Sequence, residues 1–314
     1  MTLLTPCSDT YTVLDCEDRV IAVLLAPPKD GEDRQPNERW NAVTGRAGTL
    51  FENVRLSGEK RHAFPDKLTH HRRGDFTALS FGISYGGGQT KPGELRHSKT
   101  RMKLIDRIER SPDVQQIAGH GNEGLASFFP KPAVHMREAL LDLLDSDPTL
   151  EMPFKNSAYP TATANLGPET ACLLHNDCTN FPGLACAITA LGPFNADTGG
   201  QMLLIDLRLR IRFPAGCTIL LSSAGLRHGN LPVADGERRY SFTQYCTGGI
   251  MRWVRHGMRP AGDLTEEERV ELDGPKGEGW ARQLGRLSKY NELQKDRAFM
   301  IEKEKELSAR KRRP

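Results

Sequence analysis

The chain has 314 residues and carries 43 Lys and Arg against 40 Asp and Glu, a formal net charge of +3, so overall charge selects neither a nucleic acid nor a membrane surface as partner. With 38% hydrophobic and 26% charged residues, 30 glycines and 20 prolines, the composition excludes collagen-like, coiled-coil and wholly disordered chains and favours a turn-rich β protein. No apolar run approaches the roughly 20 residues that cross a bilayer, so no membrane span is expected. The amino terminus does not read as a secretory signal, and seven cysteines without a regular framework read as buried thiols. These features predict an intracellular protein without disulfides.

Residues 20–27 form a short apolar run with strand character, followed by a Pro, Gly and Asp loop, and residues 28–75 read as polar and irregular. Residues 75–85 have strand composition and end in Gly86, Gly87 and Gly88, a run that demands unusual backbone angles or a close approach. Residues 102–108 and 134–144 place apolar side chains at helical spacing, the second stopping near Asp147 and Pro148. From 157 to 254 the texture changes to short β-type segments at 159–166, 170–175, 184–191, 201–213, 217–221 and 239–245. Turn residues separate them, the pattern of an antiparallel sandwich or barrel, jelly rolls included. Beyond Pro260 the sequence turns helical and charged, with Asp263 or Thr265 as cap ahead of Glu266 and a helical stretch over 280–311.

His175 and Asp177 are two apart, so on extended chain both point to one side, and His228 lies 51 residues beyond Asp177. Two imidazoles and one carboxylate on one face of an octahedral ion leave three positions open, the facial triad of non-haem Fe(II) oxygenases. Arg239 and Ser241 are again two apart; a guanidinium there can hold a carboxylate through two parallel hydrogen bonds, with the hydroxyl adding a third. Arg238 competes with Arg239, but only Arg239 shares strand parity with Ser241.

With these residues the sequence resembles the 2-oxoglutarate and Fe(II)-dependent dioxygenases. The matching pattern is His175-x-Asp177, the distal His228 and Arg239-x-Ser241. The resemblance implies an α+β protein with a double-stranded β-helix (jelly-roll, cupin-like) core over 155–258, an α/β support region over 1–154 and a charged helical extension over 259–314. It implies His175, Asp177 and His228 as metal ligands, Arg239 and Ser241 as the clamp for 2-oxoglutarate, and Asn165 as a further contact to that cosubstrate. The implied reaction couples O2 and oxidative decarboxylation of 2-oxoglutarate, giving succinate and CO2, to oxidation of a substrate C–H bond. Further stretches, His71-Arg-Arg-Gly-Asp-Phe, Phe81-Gly-Ile-Ser-Tyr-Gly-Gly-Gly-Gln, Ala187-Ile-Thr-Ala-Leu-Gly, Phe213-Pro-Ala-Gly and Tyr240-Ser-Phe-Thr-Gln-Tyr, are similar to a fungal group related to the TET and J-binding-protein dioxygenases. That similarity spans residues 20–258 and implies a methylated pyrimidine in DNA or RNA as substrate.

Other readings of the same residues compete. Cys172, His175 and Cys178 are three-residue steps that a structural zinc would use, although such steps on a strand face alternate sides and no fourth ligand is apparent. Gly82-Ile-Ser84-Tyr-Gly86 matches the nucleophile elbow of a serine hydrolase, which requires a helix immediately after it. A non-catalytic module binding nucleic acid or protein on a decayed oxygenase fold is the third. His70, His71, Arg72 and Arg73 and the tail from Arg310 are basic patches able to meet phosphates, with Tyr245 or Trp253 able to stack on a base; Arg73-Gly74-Asp75 reads as a turn. The basic tail also reads as a nuclear-import candidate.

Overall fold

The computed structural model describes residues 1–4, 9–28 and 38–310. Cys7, most of the loop read at 28–36 and the last four residues of the basic tail lie outside them. Strands β1 (Thr2–Leu4), β2 (Tyr11–Leu14) and β3 (Val20–Leu25) are followed by helices α1 (Glu38–Lys60) and α2 (Asp66–Thr69). Four strands come next, β4 (His70–His71), β5 (Gly74–Asp75), β6 (Ala78–Ser84) and β7 (Gly93–Glu94), then helices α3 (Lys99–Glu109), α4 (Pro112–Phe128) and α5 (Pro130–Ser146). The carboxy-terminal half holds β8 (Thr161–Asn165), β9 (Cys186–Leu191), β10 (Met202–Leu204), β11 (Leu209–Ile211), β12 (Thr218–Leu221), β13 (His228–Asn230) and β14 (Tyr240–Tyr245). Helices α6 (Gly248–Arg255), α7 (Glu266–Asp273), α8 (Gly279–Leu284) and α9 (Leu293–Arg310) complete it.

The strands form a major sheet in the order β2-β3-β12-β9-β14-β8-β6-β7 and a minor sheet in the order β1-β11-β10-β13. The fold is α+β with a jelly-roll core, and strands from the first hundred residues complete both sheets: β1 pairs with β11, β3 with β12 and β6 with β8. Strand periodicity sorts the major sheet into two faces. Leu79, Phe81, Ala162, Ala164, Tyr240 and Phe242 turn one way and pack with Phe51, Val54, Ile105 and Ile117 of α1, α3 and α4. Ala22, Leu24, Ile188, Ala190, Ile219 and Leu221 turn the other way and bury Met202, Leu204, Ile211 and Phe213 of the minor sheet and its approach. Each fully buried large apolar side chain contributes on the order of 1.5–3 kcal/mol, so these two layers fix the sheet between helices and minor sheet. At β6, β8 and the end of β14 that second face changes character and presents Ser80, Thr163, Asn165, Ser241 and Tyr245. This polar half is the wall of the site.

Several expectations need correction. The region 38–60, read as irregular, is a 23-residue helix. Its Trp40, Val43, Ala47, Phe51 and Val54 follow three- and four-residue spacing, diluted to the eye by Gly45, Gly48 and Gly58. The segment 201–213 is a hairpin of two short strands, not one strand. Residues 170–175 form no strand; they meet the sheet through isolated bridges at Glu169 and His175. The stretch 280–311 breaks into α8 and α9, because Gly285 and the turn at 286–292 interrupt it. Thr265, not Asp263, caps α7 in a full capping box with Glu268. Helix α4, unanticipated, begins at Ser111 with Pro112 in its first turn.

Helix α4 crosses the sheet on glycines. A Cβ at Gly121 would sit 2.9 Å from Ala187 Cβ, and one at Gly124 would strike the Leu25 and Leu220 side chains. Gly124→Val is expected to lower unfolding free energy by about 1–3 kcal/mol, the usual cost of overpacking, in urea denaturation; unchanged stability would show that α4 can lift from the sheet freely.

Candidate metal centre and cosubstrate pocket

His175 and His228 face each other as an isolated antiparallel bridge closed by two backbone hydrogen bonds: His175 N donates to His228 O (2.9 Å) and His228 N to His175 O (3.0 Å). The ring centroids are 4.5 Å apart. Each ring is turned by its own backbone two residues back. His175 Nδ1 donates to Leu173 O (2.6 Å) and His228 Nδ1 to Leu226 O (2.8 Å). A carbonyl only accepts, so Nδ1 carries the proton in both and each Nε2 offers a lone pair. Asp177 joins them, its Oδ1 3.6 Å from His175 Nε2 and its Oδ2 4.0 Å from His228 Nε2. One ligand atom from each of the three lies within 4.8 Å of the others, the one such group among the described residues. Asp177 N donates to Ser223 O (2.9 Å) and Asn176 Nδ2 to Ala224 O (3.4 Å), so the Ser222–Leu226 turn steadies both ligand segments.

Burial, then repulsion from His228, pushes the His175 imidazole down to about 4, and burial pushes His228 down too. Both rings are therefore neutral and ready to ligate near pH 7. Two neutral imidazoles and a carboxylate gathered on one side, with outer nitrogens tied to carbonyls, fit a first-row divalent cation such as Fe(II) with open positions. A zinc site through Cys172 and Cys178 does not form: neither joins the group, and Cys178 is exposed.

Arg239 is 2% exposed, and no described carboxylate forms an ion pair with it. Its Nη1 donates to Thr170 O (2.7 Å), its guanidinium carbon lies 5.7 Å from the Phe194 ring centroid, and its Nε has no partner. Burial lowers its pKa to about 10, which leaves it charged. Asn230 Nδ2 also donates to Thr170 O (3.0 Å), and Asn230 lies two residues beyond His228 on β13, so one strand links guanidinium and triad. Ser241 and Asn165 sit opposite each other in register, Asn165 Nδ2 donating to Ser241 Oγ (2.9 Å), while Asn165 Oδ1 and Thr170 Oγ1 are buried without partners. A buried cation beside orphaned polar atoms fits a carboxylate-bearing ligand such as 2-oxoglutarate. The competing Arg238 is half-exposed and acts on the opposite face, where its charge helps to lower the Glu52 carboxyl.

Sequence reasoning missed Arg72 as a neighbour of the triad. Its Nη1 donates to Asn176 O (3.0 Å) and its Nη2 to Asp177 Oδ1 (3.4 Å); at 58% side-chain exposure, solvent screens that pair. Half-buried Arg73, read as a turn residue, adds positive charge that helps hold both imidazoles neutral. The β4–β5 hairpin brings both there, a long-range placement that no local pattern signals. Ser84 ends β6 and runs into the Gly86–Gly88 turn and β7, so the helix of a nucleophile elbow is absent.

A cavity of about 1540 Å³ opens beside the triad, reaching Cys178 and Thr179 just past Asp177 and lined also by Ser80, Tyr245, Arg96 and Arg252. Behind its wall the buried Thr163 hydroxyl contacts those of the lining residues Ser80 (2.8 Å) and Tyr245 (3.3 Å). At its rim Lys91 pairs with Asp147 (2.7 Å) and holds that carboxyl down to about 2. Among the described residues no helix is long and apolar enough to cross a membrane.

No protein-family model and no curated protein matches the sequence. Among solved structures, NgTET1 in complex with 5mC DNA is similar over 86% of this chain and 89% of that one, at 14% identity and a TM-score of 0.51. That likeness establishes a shared fold. A 2OG-Fe(II) oxygenase family oxidoreductase from Burkholderia pseudomallei (14% identity, 71% of this chain and 83% of that one, TM-score 0.33) is also retrieved. So is the viral collagen prolyl hydroxylase of Paramecium Bursaria Chlorella virus-1 in its 2OG complex (14% identity, 63% and 89%, TM-score 0.27).

Burial holds His120, His135 and His175 near 4 against an ordinary 6.5. Between those values the unfolded chain binds protons that the folded chain refuses, so folding stability falls as pH falls through the window and is unaffected above it. The metal-free protein is expected to lose thermal stability steadily from pH 6.5 toward 4 in calorimetry; a flat profile would mean these rings are protonated in place.

Proposed function

We propose that the protein is an Fe(II)- and 2-oxoglutarate-dependent dioxygenase that oxidises a substrate C–H bond. One observation carries this reading: a buried, charged Arg239 without a carboxylate partner stands on the same strand network as a two-histidine, one-carboxylate cluster with free Nε2 lone pairs. A buried lone charge is costly by several kcal/mol, and a carboxylate ligand offsets that cost.

His175, Asp177 and His228 would hold the iron through Nε2, a carboxylate oxygen and Nε2. Arg239 would hold the far carboxylate of 2-oxoglutarate, with Ser241 donating beside it and Asn165 orienting Ser241. Bound iron with 2-oxoglutarate supplies O2 activation, one oxygen atom going to substrate and the other to succinate as CO2 leaves. The chain's own share is positional. It keeps both imidazoles neutral, fixes their tautomers through Leu173 and Leu226, and shuts water away from Arg239.

For substrate we propose a methylated pyrimidine in nucleic acid. The fold is the one seen in NgTET1 bound to 5mC DNA, and the adjoining cavity is roomy, with cationic Lys91, Arg96 and Arg252 in its lining to meet phosphates. Ser80 and Tyr245, with Thr163 bonded behind them, would present hydroxyls to the base edge.

Anaerobic Fe(II) and 2-oxoglutarate together are expected to give a weak visible charge-transfer band that His228→Ala abolishes; folded protein without the band would overturn the assignment. Arg239→Ala is expected to raise the 2-oxoglutarate requirement at least about tenfold, as the loss of a buried charge-assisted pair does, while Arg238→Ala changes it little. Equal effects would remove Arg239 from the clamp. Mass spectrometry of methylcytosine-containing DNA after turnover is expected to reveal oxidised methyl groups; succinate release with every such base intact would discard the nucleic-acid substrate.

A further inference from the structure

The carboxy-terminal extension bears on the metal ligands through one turn. Residues 222–226 are closed by Gly225 N and Leu226 N donating to Ser222 O (3.1 and 2.8 Å), and Ser222 Oγ donates to Pro182 O (2.9 Å). This turn provides three of the bonds that steady the ligands: Leu226 O to His228 Nδ1, Ser223 O to Asp177 N, and Ala224 O to Asn176 Nδ2. Its outer surface is met in part by α8 and the residues after it, with Gly225 still exposed and Trp280 48% exposed. The Trp280 ring lies on the bare Cα of Gly225; a Cβ there would sit 2.8 Å from Trp280 Cη2. Leu284 and Leu287 line the same small apolar cavity of about 70 Å³ as Gly225, Leu226 and Trp280.

The segment is itself anchored. Gln283 is buried against Gly183. Val20 N donates to Ser288 O (3.0 Å) and Tyr290 N to Asp18 O (2.9 Å), and Arg19 bridges Lys289, so the chain after α8 is laid along the start of β3. Leu293 then enters the core beneath α5. A segment anchored from Gln283 onward and lying over a five-residue turn restricts the turn's motion without touching the metal ligands.

We infer that residues 279–290 are a strap that holds the Ser222–Leu226 turn, and through it His228 and Asp177, in metal-binding geometry, with Trp280 as its positioning residue. The inference rests on the metal centre of the proposed function. Trp280 touches neither metal ligand nor cosubstrate pocket; its flat ring over a residue without a side chain fixes how far Leu226 O stands from the His228 ring. Losing such an outer support costs metal affinity with the ligands themselves intact.

The test uses the full chain and Co(II), whose visible ligand-field absorption reports coordination without turnover. Trp280→Ala is expected to bind Co(II) about tenfold or more weakly, within the range for outer-shell substitutions, with an altered band, and Trp280→Phe to restore most of it. Affinity for 2-oxoglutarate at saturating metal should not change, because Arg239 and Ser241 lie outside the turn. Wild-type Co(II) affinity and spectrum in Trp280→Ala would overturn the strap while leaving the metal centre standing. Parallel losses of Co(II), 2-oxoglutarate and thermal stability would also overturn it, as general destabilisation. No Co(II) band in the wild-type protein would remove the metal centre and the strap together. Should Trp280→Ala not fold, Trp280→Leu, which keeps apolar bulk but not the flat ring, replaces it with the same readouts.

Discussion

The paired backbone hydrogen bonds between His175 and His228 are the constraint around which the site is organised. Two residues that bond each other through both N–H and C=O have their Cα atoms fixed about 5.5 Å apart, and their side chains emerge together on one face. Ring separation is therefore set by the chain, and only ring rotation remains to be chosen. Leu173 O and Leu226 O, each two residues before its histidine, make that choice. Asp177 needs to supply only a carboxylate within reach, and its backbone N–H is tied to Ser223 on the turn that also orients His228. One close pair, His175 and Asp177, and a histidine 51 residues beyond Asp177 are thus fixed by very few local contacts.

The cost of the design lies at Arg239. A guanidinium almost wholly removed from water is stabilised in place by one carbonyl and an aromatic face, too little to offset desolvation of a full charge. The surrounding layers make it tolerable. Helices α1 and α4 pack one face of the major sheet and the minor sheet packs part of the other, and Arg239, just before β14, is buried beside them. The same strand alternation that drives Tyr240 and Phe242 into the helical layer drives Arg239 and Ser241 to the polar wall. Fold stability and the proposed ligand affinity would be coupled here: the hydrophobic layers hold a charge in an unfavourable place, which a bound carboxylate would relieve.

Much of this was legible in the sequence because it depends on short-range rules. Parity along an extended chain joins His175 to Asp177 and separates Arg239 from Arg238, and the resemblance to the dioxygenases singled out Asn165, which the register of β8 against β14 sets opposite Ser241. What stayed hidden depends on distance. Helix α1 hid because Gly45, Gly48 and Gly58 weaken its apolar signal, and Gly48 is there for a close approach, since a Cβ would come 3.3 Å from Gly192 N. His175 was placed on a strand, yet it sits in a loop that meets β13 at the His175–His228 bridge and where Asn230 N donates to Cys172 O (3.0 Å), without the continuous ladder of a strand. Arg72 and Arg73 reach the site only because Leu173 N donates to Arg73 O across a hundred residues of chain (2.8 Å).

That last bond and the strap at Trp280 belong to one pattern. A jelly roll leaves the loops that follow its strands at the open end, where they carry function and have few neighbours to hold them. Here the loop before His175 is held by the β4–β5 hairpin, and the turn before His228 by α8 and the residues after it. Each support comes from a part of the chain remote from the core strands in sequence, and each acts on the backbone two to five residues from a ligand, not on the ligand. Backbone carbonyls that orient imidazoles are only as fixed as the loops that carry them. The metal affinity proposed for this site would therefore depend on the amino-terminal hairpin and the carboxy-terminal strap as much as on the three side chains that would touch the ion.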